Sequence, residues 1–298
     1  MTTTQRPPTS TGSDVAAGGG QPVPRRRLRL PFSGWHLLLM PTALLFALPL
    51  AWMILTSFMP DSDINTFPPK FWPSHFSLEG YRGLFGGSDI LLWLRNTTIV
   101  ATIAVVSHLI LCSLAGYGFA RLRFRGRNVG FFAIVATIMV PIQLLMIPTF
   151  IMFSRVDVID TLAAAFIPWL ASAFGIFLMR QFFLSLPVDL EDAARLDGCN
   201  RMQVLRYVVV PLAKPALATL AIFTLLGSWN DLIWPLVAIS DDKWYTLQLG
   251  LANFQGTRRT QWQLLMAGNV VATLPLLIGF IAAQRQFIAT MTFTGMKG

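Results

Sequence analysis

Leu190-Glu191-Asp192-Ala193-Ala194-Arg195-Leu196-Asp197-Gly198, running on to Val208-Val209-Val210-Pro211, is a charged, helix-forming island between two long apolar segments. Thr161–Met179 precedes it without a charge, and Pro215–Ser240 follows it, interrupted only by Asp231. A membrane protein that keeps such an island on one face has a surface there for touching something outside itself.

Composition sets the class. Hydrophobic residues make up 54% of the 298 and charged residues 12%, about half the charged share of a soluble domain. The apolar residues gather into six runs, Trp35–Phe58, Asn96–Ala120, Asn128–Ser154, Thr161–Met179, Pro215–Ser240 and Leu264–Gln284, free of Asp, Glu, Lys and Arg apart from Asp231. About 20 residues at 1.5 Å rise cross the hydrocarbon core, so each run is long enough or nearly so. Only helices or closed barrels span lipid, and alternating ten-residue strands are absent from the sequence. The prediction is an all-α integral membrane protein of six transmembrane helices, over about 35–58, 96–120, 128–154, 161–180, 214–240 and 264–284. Pro141 and Pro148 are expected to kink the third.

Basic residues set the orientation. The N-terminal segment, the 121–127 loop, the island with its bounding Arg180 and Lys214, and the C-terminal tail together hold 16 of the 23 Lys and Arg. With six spans, that side and both termini are expected to be cytoplasmic. The net charge of +9 is then a matter of topology and not a nucleic-acid surface. The first 24 residues, rich in Thr, Ser, Pro, Gly and Gln, read as disordered and form with Arg25–Arg29 a basic tail over 1–34. The first apolar run is too long for a cleavable signal peptide, so it reads as an uncleaved anchor. Cys112 and Cys199 read as a packing residue and a free thiol. On the opposite side, 60–95 carries four prolines and reads as an irregular cap, and 154–160 as a tight connection. The 241–263 segment holds Trp244, Tyr245, Trp262 and the Arg258-Arg259 pair, whose aromatics read as interfacial anchors or, alternatively, as contacts to a docking partner.

Within the island, Pro187 suits a first helical turn, and Asp189, Glu191 and Asp192 place negative charge at the positive end of the helix dipole. Gly198 is a natural left-handed stop. Asn200 with Gln203 reads as a capping box for a second short helix carrying Val204, Leu205 and Val208 on one side. Helix, glycine bend, helix and Pro211 make a rigid elbow; the alternative is an amphipathic connector lying on headgroups.

Asp192-Ala193-Ala194, Gly198 six residues after Asp192, and Val208-x-Val210-Pro211 resemble the EAA loop of bacterial ABC-importer permeases, with matching spacing throughout. Trp229-Asn230-Asp231, Trp234-Pro235-Leu236, Pro141, Pro148 and the terminal Gly295-Met296-Lys297-Gly298 extend the resemblance over about 35–298. The subfamily it resembles is that of carbohydrate uptake, similar to the maltose permease G component. Asp192 stands where the motif has Glu, with Glu191 beside it able to share the role. Val208 and Val210 stand for Ile and Leu, and Thr290 and Thr294 stand where the family usually has glycines.

The resemblance implies a type I importer permease domain over 35–298, with an EAA coupling loop over 185–211 and a cytoplasmic tail over 285–298, in a bacterial inner membrane. It implies as partners a second permease, two cytoplasmic ATPases that carry ATP and Mg, and an external binding protein delivering a sugar or sugar-like solute. The chain has no phosphate-binding loop and no nucleophile–base or metal-ligand cluster in its sequence, so no cofactor or catalytic group is expected on it. For coupling to the ATPase, Glu191 and Asp192 are assigned as charged contacts beside Ala193 and Ala194, Gly198 as the bend, and Leu205 and Val208 as apolar plugs before Pro211. For the substrate path, polar residues at membrane depth nominate Gln143, Asn230, Asp231 and Asn269, with Trp229 as a stacking surface. Asp231 reads equally as a cap of its span and Asn269 as an inter-helix hydrogen bonder. A permease for a non-sugar solute is the main alternative. A channel or ion-coupled transporter would need paired intramembrane charges or repeated halves, and neither is in the sequence.

Overall fold

The computed structural model describes residues 35–68, 70–256 and 260–294. The basic tail over 1–34, the Arg258-Arg259 pair and the terminal Gly295-Met296-Lys297-Gly298 lie outside the described residues. The elements are helices: α1 (His36–Ser57), α2 (Asp61–Ile64), α3 (Glu79–Gly87), α4 (Ile90–Arg121), α5 (Arg127–Ala136), α6 (Ile142–Arg155), α7 (Leu162–Phe166), α8 (Ala173–Ser185), α9 (Asp189–Leu196), α10 (Arg201–Val204), α11 (Val210–Leu212), α12 (Lys214–Trp229), α13 (Ile233–Ala238), α14 (Leu247–Ala252) and α15 (Trp262–Thr294). Among the described residues, β pairing is limited to one isolated bridge, Gln255 with Thr260.

Among the described residues, four stretches are long and apolar enough to cross a bilayer: α1, α4, Leu162–Ser185 and Trp262–Ile281 of α15. Two further stretches are bent: Arg127–Met139 meets Ile142–Arg155 at 103°, and Arg201–Leu212 meets Lys214–Trp229 at 80°. Taking the first pair as one crossing, and Lys214–Trp229 of the second as another with Arg201–Leu212 left to the surface, gives the six expected from the sequence. Their outlines differ from expectation in three places. The third is broken outright at Val140–Pro141, because Pro141 has no N–H to continue the helix, whereas Pro148 is absorbed within α6. The fifth stops at Trp229 and resumes at Ile233, so Asn230 and Asp231 lie in an open turn. The sixth runs on as helix through Thr294, into the segment expected to be a separate tail.

α4 is the mast of the bundle, packed against α8 and α12, while α15 packs on α12. Close approach of α4 to α8 requires Gly116: a Cβ there would lie 2.8 Å from Met179 Cβ and 2.9 Å from the Arg180 amide. Small residues at such crossings replace a hydrophobic driving force that lipid does not supply. Polar anchors sit at the mast's two ends. At one end Asn96 Nδ2 donates to the carbonyls of Lys243 (2.9 Å) and Tyr245 (3.0 Å), and Thr97 Oγ1 accepts from the Leu247 amide at 2.7 Å. At the other, Tyr117 and Arg121 meet the elbow. Asn96 and Tyr117 are about 31 Å apart along the helix at 1.5 Å per residue, close to the ~30 Å hydrocarbon thickness. The elbow and the 241–247 loop therefore lie at opposite membrane surfaces.

The 60–78 cap is organised by Asp63, which is 3% exposed. Its carboxylate pairs with Lys70 Nζ at 2.5 Å and accepts from the Ser74 amide (2.7 Å) and hydroxyl (2.6 Å). The Lys70 ammonium, then the Ser74 donors, hold the Asp63 carboxyl well below the usual carboxylate range.

Gly116→Leu should overpack the α4–α8 crossing at a cost of about 1–3 kcal/mol, read as a lowered thermal midpoint of the detergent-purified protein. An unchanged midpoint would contradict the close approach. For Asp63 the folded pKa is depressed, so its stabilisation is complete above the unfolded value of about 3.9 and is lost as pH falls through the lower folded value. Asp63→Asn should thus open the 60–78 segment to protease at neutral pH, where the parent protein resists. Equal cleavage of the two proteins at pH 7 would refute that role.

Candidate functional site

The elbow forms as its sequence dictates. α9 opens with three acids in its first turn. Gly198, at φ +86°, takes the left-handed conformation that lets the chain reverse without a Cβ clash. The Asn200 side chain accepts from the Gln203 amide at 3.0 Å while Gln203 Oε1 accepts from the Asn200 amide at 2.8 Å, a complete capping box. Past α10 the chain widens into a π turn over Leu205–Val209. Pro211 cannot donate to the Tyr207 carbonyl and its ring crowds it, and a widened turn is one way a helix accommodates this.

Glu191 is 2% exposed and sits at the centre of this arrangement. Tyr117 Oη donates to its Oε2 at 3.0 Å, and Arg121 Nε lies 2.6 Å from Oε1, an ion pair without hydrogen-bond alignment. Arg195, one turn along α9, is 3.9 Å from Oε2. Arg121 also donates through Nη2 to the Leu186 carbonyl at 2.7 Å. Two side chains from the foot of α4 thereby hold α9 and the end of α8 together. Ala194, Val204, Leu205 and Val209 pack with Phe183 and Leu220 into the same apolar base.

This corrects part of the sequence reading. Glu191 is turned inward and already paired, so it offers no charge to a partner. Leu205 is 5% exposed and Val208 packs half-buried against the base, so neither projects as a plug. Residues one position apart on a helix point about 100° apart, which separates inward Glu191 from outward Asp192. Asp192 is exposed and 3.2 Å from Arg195. Ala193, Gly198 and Pro211 are exposed and Ala194 is buried. The apolar side chains of the elbow that project most are Leu196 (91% exposed), Tyr207 (64%) and Met202 (60%), unpicked by motif spacing.

A second candidate lies within the spans. A cavity of about 350 Å³ is lined by α6, by Trp169 and its neighbours, by His108 of α4, and by the turn that follows α12. Of the nominated path residues it brings together Gln143 and Asp231. Trp229 is turned away, 4% exposed with Nε1 donating to the Ala272 carbonyl at 3.1 Å, so it stacks on no solute. Asn230 is tied to the Leu226 carbonyl and to Gln248, and Asn269 does not line the cavity. Trp169, Trp234, Thr149 and His108 line it without having been nominated. A Trp at helix-forming spacing reads as core, and only its indole N–H reaching a carboxylate marks it otherwise.

Glu191→Ala should leave Arg121 buried and unpaired at a cost of about 3–5 kcal/mol, and Tyr117→Phe should cost about 1.5–3 kcal/mol. Limited proteolysis of membrane-inserted protein should cut Glu191→Ala within 186–212 first. Identical digestion of that variant and the parent would show that the buried carboxylate does not hold the elbow.

The family described as binding-protein-dependent transport system inner membrane component matches residues 110–292. The chain is 34% identical over 259 residues to the arabinooligosaccharides transport system permease protein AraQ of Halalkalibacterium halodurans, covering 86% of this chain and 93% of that protein. It is 31% identical over 265 residues to the lactose transport system permease protein LacG of Rhizobium radiobacter, covering 89% and 96%. It is 30% identical over 270 residues to the sn-glycerol-3-phosphate transport system permease protein UgpE of Brucella abortus, covering 87% and 95%. Among solved structures, a bacterial ABC transporter involved in the import of the acidic polysaccharide alginate superposes with a TM-score of 0.72 at 25% identity, over 86% of this chain and 99% of that one. An extended match of sequence over the elbow and of fold over the whole bundle makes this chain a member of the binding-protein-dependent transport system inner membrane component family.

Proposed function

We propose that this chain is a membrane-spanning permease subunit of an ATP-driven importer for a sugar or sugar-like solute. It forms the path with a second permease, receives solute from an external binding protein, and takes its energy from two ATPases that hold ATP and Mg. The observation that carries the reading is the elbow: a rigid projection, tied to the mast by a buried ion pair, that presents Asp192 beside exposed Leu196, Met202 and Tyr207. A floppy loop would absorb displacement, whereas this one passes it to α4 and α8. The excess of basic residues on the elbow's side supports a cytoplasmic elbow and cytoplasmic termini. The sugar class is supported by relatives named for arabinooligosaccharides and lactose.

The test is affinity purification of the tagged chain in mild detergent, followed by ATPase measurement with the binding protein added. A second permease and an ATPase should copurify, and hydrolysis should rise with sugar. Met202→Asp combined with Asp192→Lys should weaken ATPase retention about thirtyfold, the effect of losing ~2 kcal/mol. Full retention by that double variant would place the ATPase contact elsewhere. A lone oligomer that transports without ATP would replace the importer reading by a channel or ion-coupled one.

A further inference from the structure

The cavity beside α6 has a wall chemistry that selects among solutes. On one side, Met146 and Thr149 share the α6 face with Ile142, and Gln143 stands beside them. On the other, Trp169 donates through Nε1 to Asp231 Oδ2 at 3.0 Å, and the Trp234 amide donates to Asp231 Oδ1 at 3.4 Å. Both carboxylate oxygens are thus oriented by N–H donors, and each retains a lone pair for a further donor. Among the described residues, the side chains of Gln143 and Thr149 make no hydrogen bond to another group. The benzo edge of Trp169 is seated over Gly227, where a Cβ would come within 2.6 Å of the ring. Trp169 is thereby held at both edges, while it and Trp234 supply indole surface to the cavity. No lysine or arginine is among the lining residues.

An acceptor carboxylate, an uncommitted amide, a free hydroxyl and indole surface match a ring that is apolar on its C–H faces and donates hydroxyls from its rim. The volume of about 350 Å³ lies at the small end of the roughly 300–1,000 Å³ range of small-molecule sites, enough for one such ring. A carboxylate faced by no lysine or arginine among the described lining residues opposes a phosphate or carboxylate group. We propose that this cavity is a subsite for one ring of a neutral saccharide, with Asp231 accepting from its hydroxyls, Gln143 and Thr149 completing the polar contacts and Trp169 supplying apolar surface. The assignment rests on the sugar-uptake reading above and adds that this subunit itself touches the solute and discriminates against acidic or phosphorylated ones.

The experiment uses the assembled transporter in proteoliposomes with Cys199→Ser, which leaves the fully buried Cys112, and with Met146→Cys as a reporter on the cavity wall. Maleimide labelling is timed with arabinotriose, lactose or maltotriose, and with sn-glycerol 3-phosphate or trigalacturonate, while uptake of each is measured in parallel. At least one neutral saccharide should slow labelling by about tenfold when present at roughly ten times its Kd, and the two anions should not. Asp231→Ala, or Gln143→Ala should the first fail to assemble, should abolish the protection while leaving the unprotected labelling rate as it was. Uptake of a neutral saccharide without protection, or equal protection by the anions, overturns the subsite and leaves the sugar-uptake reading standing. Uptake of none of the three neutral saccharides overturns that reading and the subsite with it.

Discussion

The carboxylate of Glu191 carries the mechanical connection on which the rest of the structure depends. It is buried at the meeting point of α4, α8 and α9, and it reaches two residues, Tyr117 and Arg121, from the foot of α4. Taking both charges out of water is costly unless each is satisfied. Arg121 is paired with Glu191 by charge and donates through Nη2 to the Leu186 carbonyl, so a displaced carboxylate would leave its cation buried and uncompensated. The consequence is specificity of position. The elbow has one seat against the bundle, and a displacement of α9 is a displacement of α4 and α8.

At the far end of α4 the same device appears without charge. Asn96 and Thr97 satisfy the carbonyls and amide of the 243–247 loop, groups that would otherwise be stranded near lipid. A single helix of 32 residues is therefore fastened by polar contacts at each membrane surface and by close packing at Gly116 between them. That arrangement suits a subunit whose two faces must respond to one another.

Much of this was legible in the residues. Six runs, charge-free but for Asp231, gave four unbroken crossings and two within bent stretches, because lipid admits little else. Asn200 with Gln203 and the glycine at 198 announced the elbow, because capping and left-handed turns are local chemistry. What was not legible depends on rotation and on long-range packing. Glu191 and Asp192 are chemically alike, and only the phase of α9 against the bundle sends one inward and the other out. Trp229 looked suited to stacking on a solute, but its indole is spent on the Ala272 carbonyl of α15. Trp169 was passed over, although its N–H orients the carboxylate of the cavity. The prolines of the third run announced a disturbance, but not that Pro141 would break the helix by 103° while Pro148 would leave α6 intact.

The π turn over Leu205–Val209 amounts to one surplus residue in an otherwise regular helical path. Each residue of an α-helix advances about 100° around the axis, so this surplus sets the azimuth of α10 relative to α11. Met202 thus points where it does because of a residue count, whereas α9, beyond the Gly198 bend, is placed by the buried ion pair. The direction in which α10 faces is encoded separately from the seat of α9. A lineage could re-aim the α10 face by gaining or losing a single codon while keeping the ion pair that anchors α9.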